Sequence, residues 1–514
     1  MRIAVLGDVG QPVYHVGDEA MTHAAVAELR HRGIGDLLVL SRNPNESRRA
    51  FGTDSARTLA FPWPPDERSD YLARVLRAAE GDTSALPEQD QVWDLIAALR
   101  TCDALLIAGG GNMNSLYGWL LYERAAVAAV ARILGLRVAI AGQTLGPDLF
   151  GADRETAGDL LSAAELAGAR EEPSLHLMRD LAGGTTPVRG CLDDASFFAT
   201  DCRDKSGAGR AADLFEEPFI AATFSPGHGE ADHDAYLDAL AEALDTVAEQ
   251  TGCTVVFIPH MATPRGPLFD GMDPSLEDSG PTDADELMHQ KVAARMKSSG
   301  KVLMPIQNAE QTAALTSRAA LVMTSRYHPV VFALDSAVPV VAVAPEHYSH
   351  VRMHGALDNW GAGSLALTLP SLFDGSFAAA TLDAWKNREA ITSFLLEAGT
   401  VQRQRFSGWW DTVASALADG TRAEDPAGQP AVAFPAGMET GWQQRDAAHA
   451  GTYLPTASAL SGLRVEHEHL RAALAVTERE RDDARGELQA WKDSRTFAIL
   501  AKIATVRALL RGKR

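Results

Sequence analysis

The sequence predicts an α/β protein built from two doubly wound domains in series, followed by a helical tail. Three observations carry this. Short apolar runs alternate with helix-period segments, the pattern of βαβ units and parallel strands. The alternation starts afresh after Asp201. The length of 514 residues exceeds one ordinary domain, and a hydrophobic content of 46% suffices for more than one core.

In the first set, residues 3–6, 37–40, 104–108 and 137–141 read as buried strands. Residues 19–32 read as a helix with Ala20, Ala24, Ala27 and Leu29 among its apolar positions, and the Ala-rich stretch 120–134 as another, ending near Gly135. The second set places strands at 219–224, 254–259, 302–304, 320–323 and 338–343, with helices at 235–251 and 309–317 between them. Domain limits of 1–198 and 199–384 follow, both Rossmann-like. The loops that bind ligands in such sheets lie at the carboxyl ends of the strands.

Residues 385–418 form a helical block containing Trp409 and Trp410. The stretch 419–458, rich in Gly, Pro, Ala and charge, reads as a flexible linker. Residues 459–514 read as a helical tail. Its weak heptad (Leu463, Leu470, Leu474, Leu488, Trp491) has several polar seam positions, so it predicts a short coiled coil at most. From 494 to 514, Phe497, Leu500, Ile503, Val506, Leu509 and Leu510 mix with Lys502, Arg507, Arg511, Lys513 and Arg514. A basic amphipathic helix of this kind suits an anionic membrane surface, or packing on a partner or a second copy of the chain.

The formal net charge of −21 disfavours a general nucleic-acid binder. Cys102, Cys191, Cys202 and Cys253 share no CxxC spacing, which argues against a disulfide scaffold or a structural zinc site. The N-terminus reads as a strand and turn, too soon interrupted for a signal peptide, and no apolar run is long enough to span a bilayer. The expectation is a cytoplasmic protein, held at the inner face of the membrane if the basic tail binds there.

The strongest local signal is Thr324-Ser325-Arg326-Tyr327-His328 after the strand 320–323. If the chain stays extended, Arg326 and His328 point the same way. Arg offers a fork for carboxylate or phosphate, and His can move a proton near neutral pH. Other strand ends add candidates. Gly17 allows a tight turn before Asp18, which is placed to cap the following helix or to face a ligand with it. Gly109, Gly110 and Gly111, followed by Asn112, let backbone approach a ligand and offer amide donors, without the spacing of a nucleotide fingerprint. Gln143 and Thr144, in Gly142-Gln143-Thr144-Leu145-Gly146-Pro147, supply neutral hydrogen-bonding groups that suit sugar hydroxyls. Arg170 precedes a helix, where it can assist an anion site or pair with Glu171 or Glu172 on the surface. Asp193-Asp194 has the look of a metal-binding carboxylate pair but lacks further ligands at metal spacing, so no metal is expected. His260, at another strand end, can face the same cleft as His328.

Taken together, these motifs resemble the polysaccharide pyruvyl transferase family. The match is carried by Gly17-Asp18-Glu19-Ala20, Gly109-Gly110-Gly111, Gly142-Gln143-Thr144-Leu145-Gly146-Pro147, Ala169-Arg170-Glu171-Glu172-Pro173-Ser174, Asp193-Asp194-Ala195 and Thr324-Ser325-Arg326-Tyr327-His328, in order over roughly the first 360 residues. The resemblance implies a two-domain fold like the GT-B glycosyltransferases, with residues 385–418 crossing back onto the first domain. It implies phosphoenolpyruvate as donor and a sugar of a cell-surface polysaccharide as acceptor, lipid-linked or not. Arg170 and Arg326 then resemble the donor-binding arginines, and His328 the candidate acid. Glu171 stands where the family commonly has Asp, and Asn112-Met113-Asn114 is not typical of it. The tail after about residue 420 lies outside the resemblance.

The chemistry implied is ketal pyruvyl transfer. His328 would be the general acid, and Arg326 would stabilise developing charge with Arg170 and the three glycines at the donor. Asp18, Asn112, Gln143, Thr144 and His260 would line the acceptor side or the cleft around it. No cofactor is called for. Two other readings use the same cleft: a nucleotide-sugar glycosyltransferase, and a non-catalytic sugar-binding or assembly protein.

Overall fold

The computed structural model of the protein describes residues 1–62, 65–203, 217–264, 283–420, 434–435 and 437–511. The first domain is an eight-stranded parallel sheet. Across it the strands run Asp54–Arg57, Asp36–Ser41, Arg2–Leu6, Ala104–Ile107, Arg137–Leu145, Leu166–Ala169 and Val188–Gly190, with Gly110–Met113 added beside the far end of Arg137–Leu145. The second domain is a six-stranded parallel sheet in the order Lys301–Leu303, Thr254–Phe257, Phe219–Thr223, Leu321–Thr324, Val340–Ala344 and Ala366–Thr368. Both sheets start in the middle, build outward, then return to build the other way, which is the Rossmann order. Central strands buried on both faces explain the unbroken apolar runs; Ile3, Ala4, Val5 and Leu6 are all fully buried.

The two domains are stitched at the cleft. Tyr14–His15 pairs antiparallel with Met261–Ala262, and Val16 N donates to His260 O at 3.0 Å. Ala309 N donates to the Tyr14 hydroxyl at 3.0 Å. Helix Arg388–Asp419 runs back onto the first domain. Arg137 Nε donates to Leu417 O at 2.7 Å, Arg32 Nε pairs with Asp411 at 2.8 Å, and Trp409 packs on Gly168 so closely that a Cβ there would meet its ring at 2.4 Å.

Four expectations need correction. The strand expected at 137–141 continues to Leu145, because Gly142 and Gln143 pair with Gly168 and Ala169 of the next strand. The first helix is Val16–His31, with His15 as its N-cap. Asp18 is therefore inside the first turn, since the strand pairing of His15 and the Val16–His260 bond set the helix start. The stretch 419–458 is not a linker throughout, because a 54-residue helix, Thr440–Asp493, begins within it. In the last helix, Arg495–Arg511, Arg507 shares a face with the exposed Leu500 and Ile503, so charge and apolar surface are not segregated as an amphipathic helix requires. The side chains of Val506, Leu509, Leu510 and Arg511, and all of Lys513 and Arg514, lie outside the described residues.

On the long helix, Leu463, Leu470, Leu474, Leu488 and Trp491 are exposed, whereas Val465 and Ala472 are buried. Among the described residues no helix is long and apolar enough to cross a membrane.

Candidate active site

Strand Leu321–Thr324 ends at the point where the second sheet reverses direction. The Thr324 hydroxyl accepts the Arg326 N–H at 2.8 Å, Arg326 becomes an N-cap, and helix Tyr327–Asp335 begins at once. The chain is thus not extended through His328, and the expected shared direction of Arg326 and His328 is lost. Arg326 stays with its own domain. Its Nε donates to Asp285 Oδ1 at 3.1 Å, its Nη2 bonds the same oxygen, and Nη2 also meets Met261 Sδ at 3.4 Å. Asp285 is fully buried, and its other oxygen accepts His260 N at 3.1 Å. His328 turns instead to the first domain, where it packs on Gly17 and lies with Nε2 3.9 Å from Asp193 Oδ1.

Arg170 follows strand Leu166–Ala169 and is buried, not a surface arginine. Its Nη1 pairs with Asp193 at 2.5 Å, its Nε donates to Thr144 Oγ1 at 2.9 Å, and its plane lies 4.3 Å from the Tyr327 ring centre. Burial opposes the guanidinium charge, but Asp193 and Glu171 help to outweigh it and hold the pKa above its ordinary value. Asp193 therefore stands between Arg170 and His328, and it joins residues of both domains.

A third arginine completes this cluster. Arg352, in helix His347–Asn359, lies 3.9 Å from the Tyr348 ring centre and 5.5 Å from that of Tyr327. Its buried Nε has no hydrogen-bond partner among the described residues. Gly111 is the meeting point. A Cβ there would sit 2.7 Å from Arg170 Nη2, 3.0 Å from Tyr348 Oη and 3.2 Å from Arg352 Nη1. The Tyr348 hydroxyl donates to Gly111 O. Two guanidinium groups thus converge over one glycine, an arrangement that favours an anion between them.

The glycine run does less as a donor loop than its sequence suggests. Gly110–Met113 is a strand paired to Arg137–Leu145. Gly109 N donates to Asp194 Oδ2 at 2.6 Å and Gly142 N to Asp194 Oδ1 at 3.0 Å, so the buried Asp194 ties the two glycine segments together. Burial and the neighbouring Asp193 push Asp194 up to about 7. Gln143 and Thr144 are fully buried. Gln143 Nε2 donates to Ala108 O, and the Thr144 hydroxyl donates to Glu171 at 3.2 Å while accepting from Arg170. They position Arg170 and the glycine strand. Among the described residues, no group of three or more His, Cys, Asp or Glu is placed to hold a metal ion.

Asn112 belongs to a neighbouring polar network. Its Nδ2 donates to Asp8 at 3.0 Å, and Arg42 bridges Asp8 and Glu123 at 2.7 and 2.8 Å. Asp18 accepts from or pairs with His15 at 3.1 Å. Burial would raise its pKa, but the bond and charge of His15 outweigh that and hold it below the ordinary value. His260 is buried, with neither ring nitrogen hydrogen-bonded among the described residues, and its ring lies tilted 5.7 Å from that of Phe332, which also lies 6.1 Å from His328. Burial, then the nearby His328 and Arg326, keep His260 far below its ordinary pKa. Burial likewise pushes His328 down to about 4 against the pull of Asp193, with Arg170 adding to the fall. His328 is therefore neutral at neutral pH.

The structure thus brings Arg170 and His328 together, with Gly111 and Asp18 beside them. It sets Arg326 and His260 in an adjoining group and places Asn112, Gln143 and Thr144 behind. Sequence reasoning missed Arg352, Tyr348, Tyr327 and Asp285. Tyr348 and Arg352 had a usable signal: they stand four residues apart, on one helix face, just after the strand Val340–Ala344. Asp285 had none, since acidic residues at a helix start usually serve only the helix.

A sequence model of the family described as polysaccharide pyruvyl transferase matches residues 15–347, a span that holds Gly17, Arg170, Arg326 and His328 and stops just short of Tyr348 and Arg352. No curated protein sequence matches the chain at a significant level. Among solved structures, the chain is similar to the UDP-GlcNAc 2-epimerase of Neisseria meningitidis bound to UDP-GlcNAc, at 10% identity and a TM-score of 0.51, covering 81% of this chain and 100% of that one. It is also similar to a Listeria monocytogenes protein assigned as a UDP-N-acetylglucosamine 2-epimerase, at 12% identity and a TM-score of 0.52, covering 82% of this chain and 97% of that one. At such identities the likeness shows the fold alone, which is GT-B-like as expected.

Proposed function

Because the chain belongs to the polysaccharide pyruvyl transferase family, we propose that it transfers a pyruvyl group from phosphoenolpyruvate to a pair of hydroxyls on a saccharide, forming a cyclic ketal. The observation that carries this reading is the convergence of Arg170 Nη2 and Arg352 Nη1 over Gly111, beside His328. Phosphoenolpyruvate carries a carboxylate and a phosphate, and two guanidinium groups match that charge and geometry. Arg326, about a quarter exposed and held by Asp285, can serve the donor's other anionic end.

In the reaction, the donor's methylene carbon takes a proton, which makes the central carbon electrophilic. A sugar hydroxyl adds to that carbon and loses its proton. The bond to the phosphate oxygen breaks, and phosphate leaves with the electron pair. The second hydroxyl then adds to the same carbon, loses its proton, and closes the ketal. His328 is the group we assign to the first proton transfer. With its pKa pushed down to about 4 it is neutral near pH 7, so the donor's negative charge must raise its pKa before it can act. Asp193, between Arg170 and His328, couples donor binding to that change.

The test is incubation with phosphoenolpyruvate and a panel of saccharides, reading phosphate release and product mass. A gain of one pyruvate less one water on the saccharide is the expected product. Absence of phosphate release above background across the panel counts against the reading. Titration with UDP- and GDP-sugars tests the glycosyltransferase alternative, which the shared fold alone does not favour. The helix Arg495–Arg511 is not amphipathic, but its exposed Lys502 and Arg507 are proposed as an electrostatic contact with an anionic bilayer, where a lipid-linked acceptor would reside.

A further inference from the structure

The long helix Thr440–Asp493 clamps both domains. At its start, Trp442 is buried and donates to Asp383 at 3.0 Å, and Asp446 accepts from Thr368 N at 2.8 Å and Ser371 Oγ at 2.7 Å, all in the second domain. Tyr453 then donates to Pro345 O at 2.5 Å. Two turns on, the helix has reached the first domain. Ser461 donates to Asp148, Gly462 packs on Phe150, and Val465 and Ala472 are buried there.

Where it lands, the helix roofs a cavity of about 520 Å³. One wall is Arg68, Ser115 and Trp119 of the first domain; the other is Val465, Glu468 and His469 of the helix. This volume falls within the ~300–1,000 Å³ usual for small-molecule sites. Trp119 and Tyr117 are 37% and 36% exposed, unusual for such large rings, and their centres lie 5.8 Å apart. Tyr117 is in turn 6.0 Å from Tyr348, whose ring carries Arg352. A row of aromatic rings therefore leads from the arginine cluster to the cavity. The backbone between them is fixed: Tyr117 N donates to Asn114 Oδ1 at 3.0 Å, and Phe150 N to Ser115 Oγ at 3.1 Å.

We propose that this cavity is a saccharide subsite, which holds the inner sugars of an oligosaccharide acceptor whose terminal sugar reaches the arginine cluster. Exposed rings offer flat apolar faces for the C–H faces of pyranoses. Arg68, Ser115, Glu468 and His469 supply hydrogen bonds to hydroxyls around them. The helix thereby gives the tail a binding role, and acceptor length becomes a determinant of affinity. The inference rests on the proposed reading for the terminal sugar's place, but the subsite itself is testable without a donor.

The experiment is saturation-transfer NMR titration of the full chain with methyl glycosides of glucose, galactose and N-acetylglucosamine, and with their β1,4-linked di- and trisaccharides. At least one oligosaccharide is expected to bind roughly tenfold more tightly than its monosaccharide. Trp119→Ala, on the domain wall, and His469→Ala, on the helix wall, should each abolish that gain, about the scale of one stacked or hydrogen-bonded contact. Leu474→Ala, on the exposed side of the helix, should retain it. Equal affinity for all lengths, no binding by any sugar of the panel, or an intact length gain in both wall variants overturns the proposal. Length-dependent binding without phosphate release from phosphoenolpyruvate leaves the subsite standing and removes pyruvyl transfer. Phosphate release with a monosaccharide glycoside, and no gain with length, does the reverse.

Discussion

A Cβ built on Gly17 would lie 1.8 Å from Nδ1 of His328. Gly17 is in the first helix of the first domain, and His328 is in a helix of the second. The imidazole thus occupies the space that any side chain at residue 17 would need, and the absence of that side chain lets the domains meet at the site. Gly17→Ala would by helix propensity alone stabilise the protein by about 1 kcal/mol. Here the expected outcome is the opposite. The ring must move or the helices separate, with a loss of about 1–3 kcal/mol and a larger fall in turnover than in donor affinity. A variant with raised Tm and unchanged kcat would show that His328 does not depend on this contact.

Donor binding should take up a proton. Burial holds His328 down at about 4, below its ordinary 6.5, and an anionic donor beside it would raise it. Donor affinity should therefore increase as pH falls through the donor-bound pKa toward about 4. Calorimetry in buffers of different ionisation enthalpy reads this directly, and His328→Gln should reduce the uptake. The same depressed pKa affects stability with a definite sign. The folded state binds fewer protons at this residue than the unfolded one, so its contribution to stability is present above about 6.5 and is lost as pH falls toward 4. Equal proton uptake in wild type and His328→Gln would assign the linkage elsewhere.

Arg352 and Arg170 should separate binding from folding. Arg170 is buried against Asp193, so Arg170→Ala strands a buried carboxylate and is expected to destabilise by roughly 3 kcal/mol as well as to impair donor use. Arg352 Nε has no hydrogen-bond partner among the described residues. Arg352→Ala should raise the donor KM at least about tenfold, the weight of one charge-assisted contact, with little change in Tm. An unchanged donor KM would take Arg352 out of the donor site.

Arg326→Lys should weaken donor use, because Lys cannot keep the fork that now rests on Asp285 while presenting a second edge to an anion. Asp285→Asn should act in the same direction through loss of that support. If both variants bind phosphoenolpyruvate like wild type, the Arg326–Asp285 pair is structural only.

Deleting residues 494–514 should abolish sedimentation with phosphatidylserine-containing vesicles at moderate salt while sparing activity on a soluble acceptor. The exposed Lys502 and Arg507 predict that raised salt weakens the binding of the intact chain. Equal sedimentation of both forms would exclude the helix as a membrane contact.

Fold class and strand placement were legible in the sequence because they depend on local patterns. Apolar runs of four to six residues, such as Ile3 to Leu6, can only be satisfied by burial on both faces, and the helix-period segments between them force parallel crossovers. The motif residues Arg170 and His328 could likewise be singled out, since their chemistry is a property of the residue type and its strand-end setting. What each residue does there was decided by contacts between distant segments. Arg326 and His328 are two apart in sequence, yet one serves Asp285 in its own domain and the other leans on Gly17 and Asp193 in the other domain. Thr324 decides this by accepting the Arg326 amide and starting a helix where an extended strand was expected. Gln143 and Thr144 looked like ligand groups but are buried as strand residues, because one more run of strand pairing outweighs the loop-forming tendency of the flanking glycines and proline. The convergence of Arg170 and Arg352 on Gly111, and the long helix that roofs the Trp119 cavity, exist only once both domains and the tail are packed, since burial, pairing and shape at these sites are set by chain segments hundreds of residues apart.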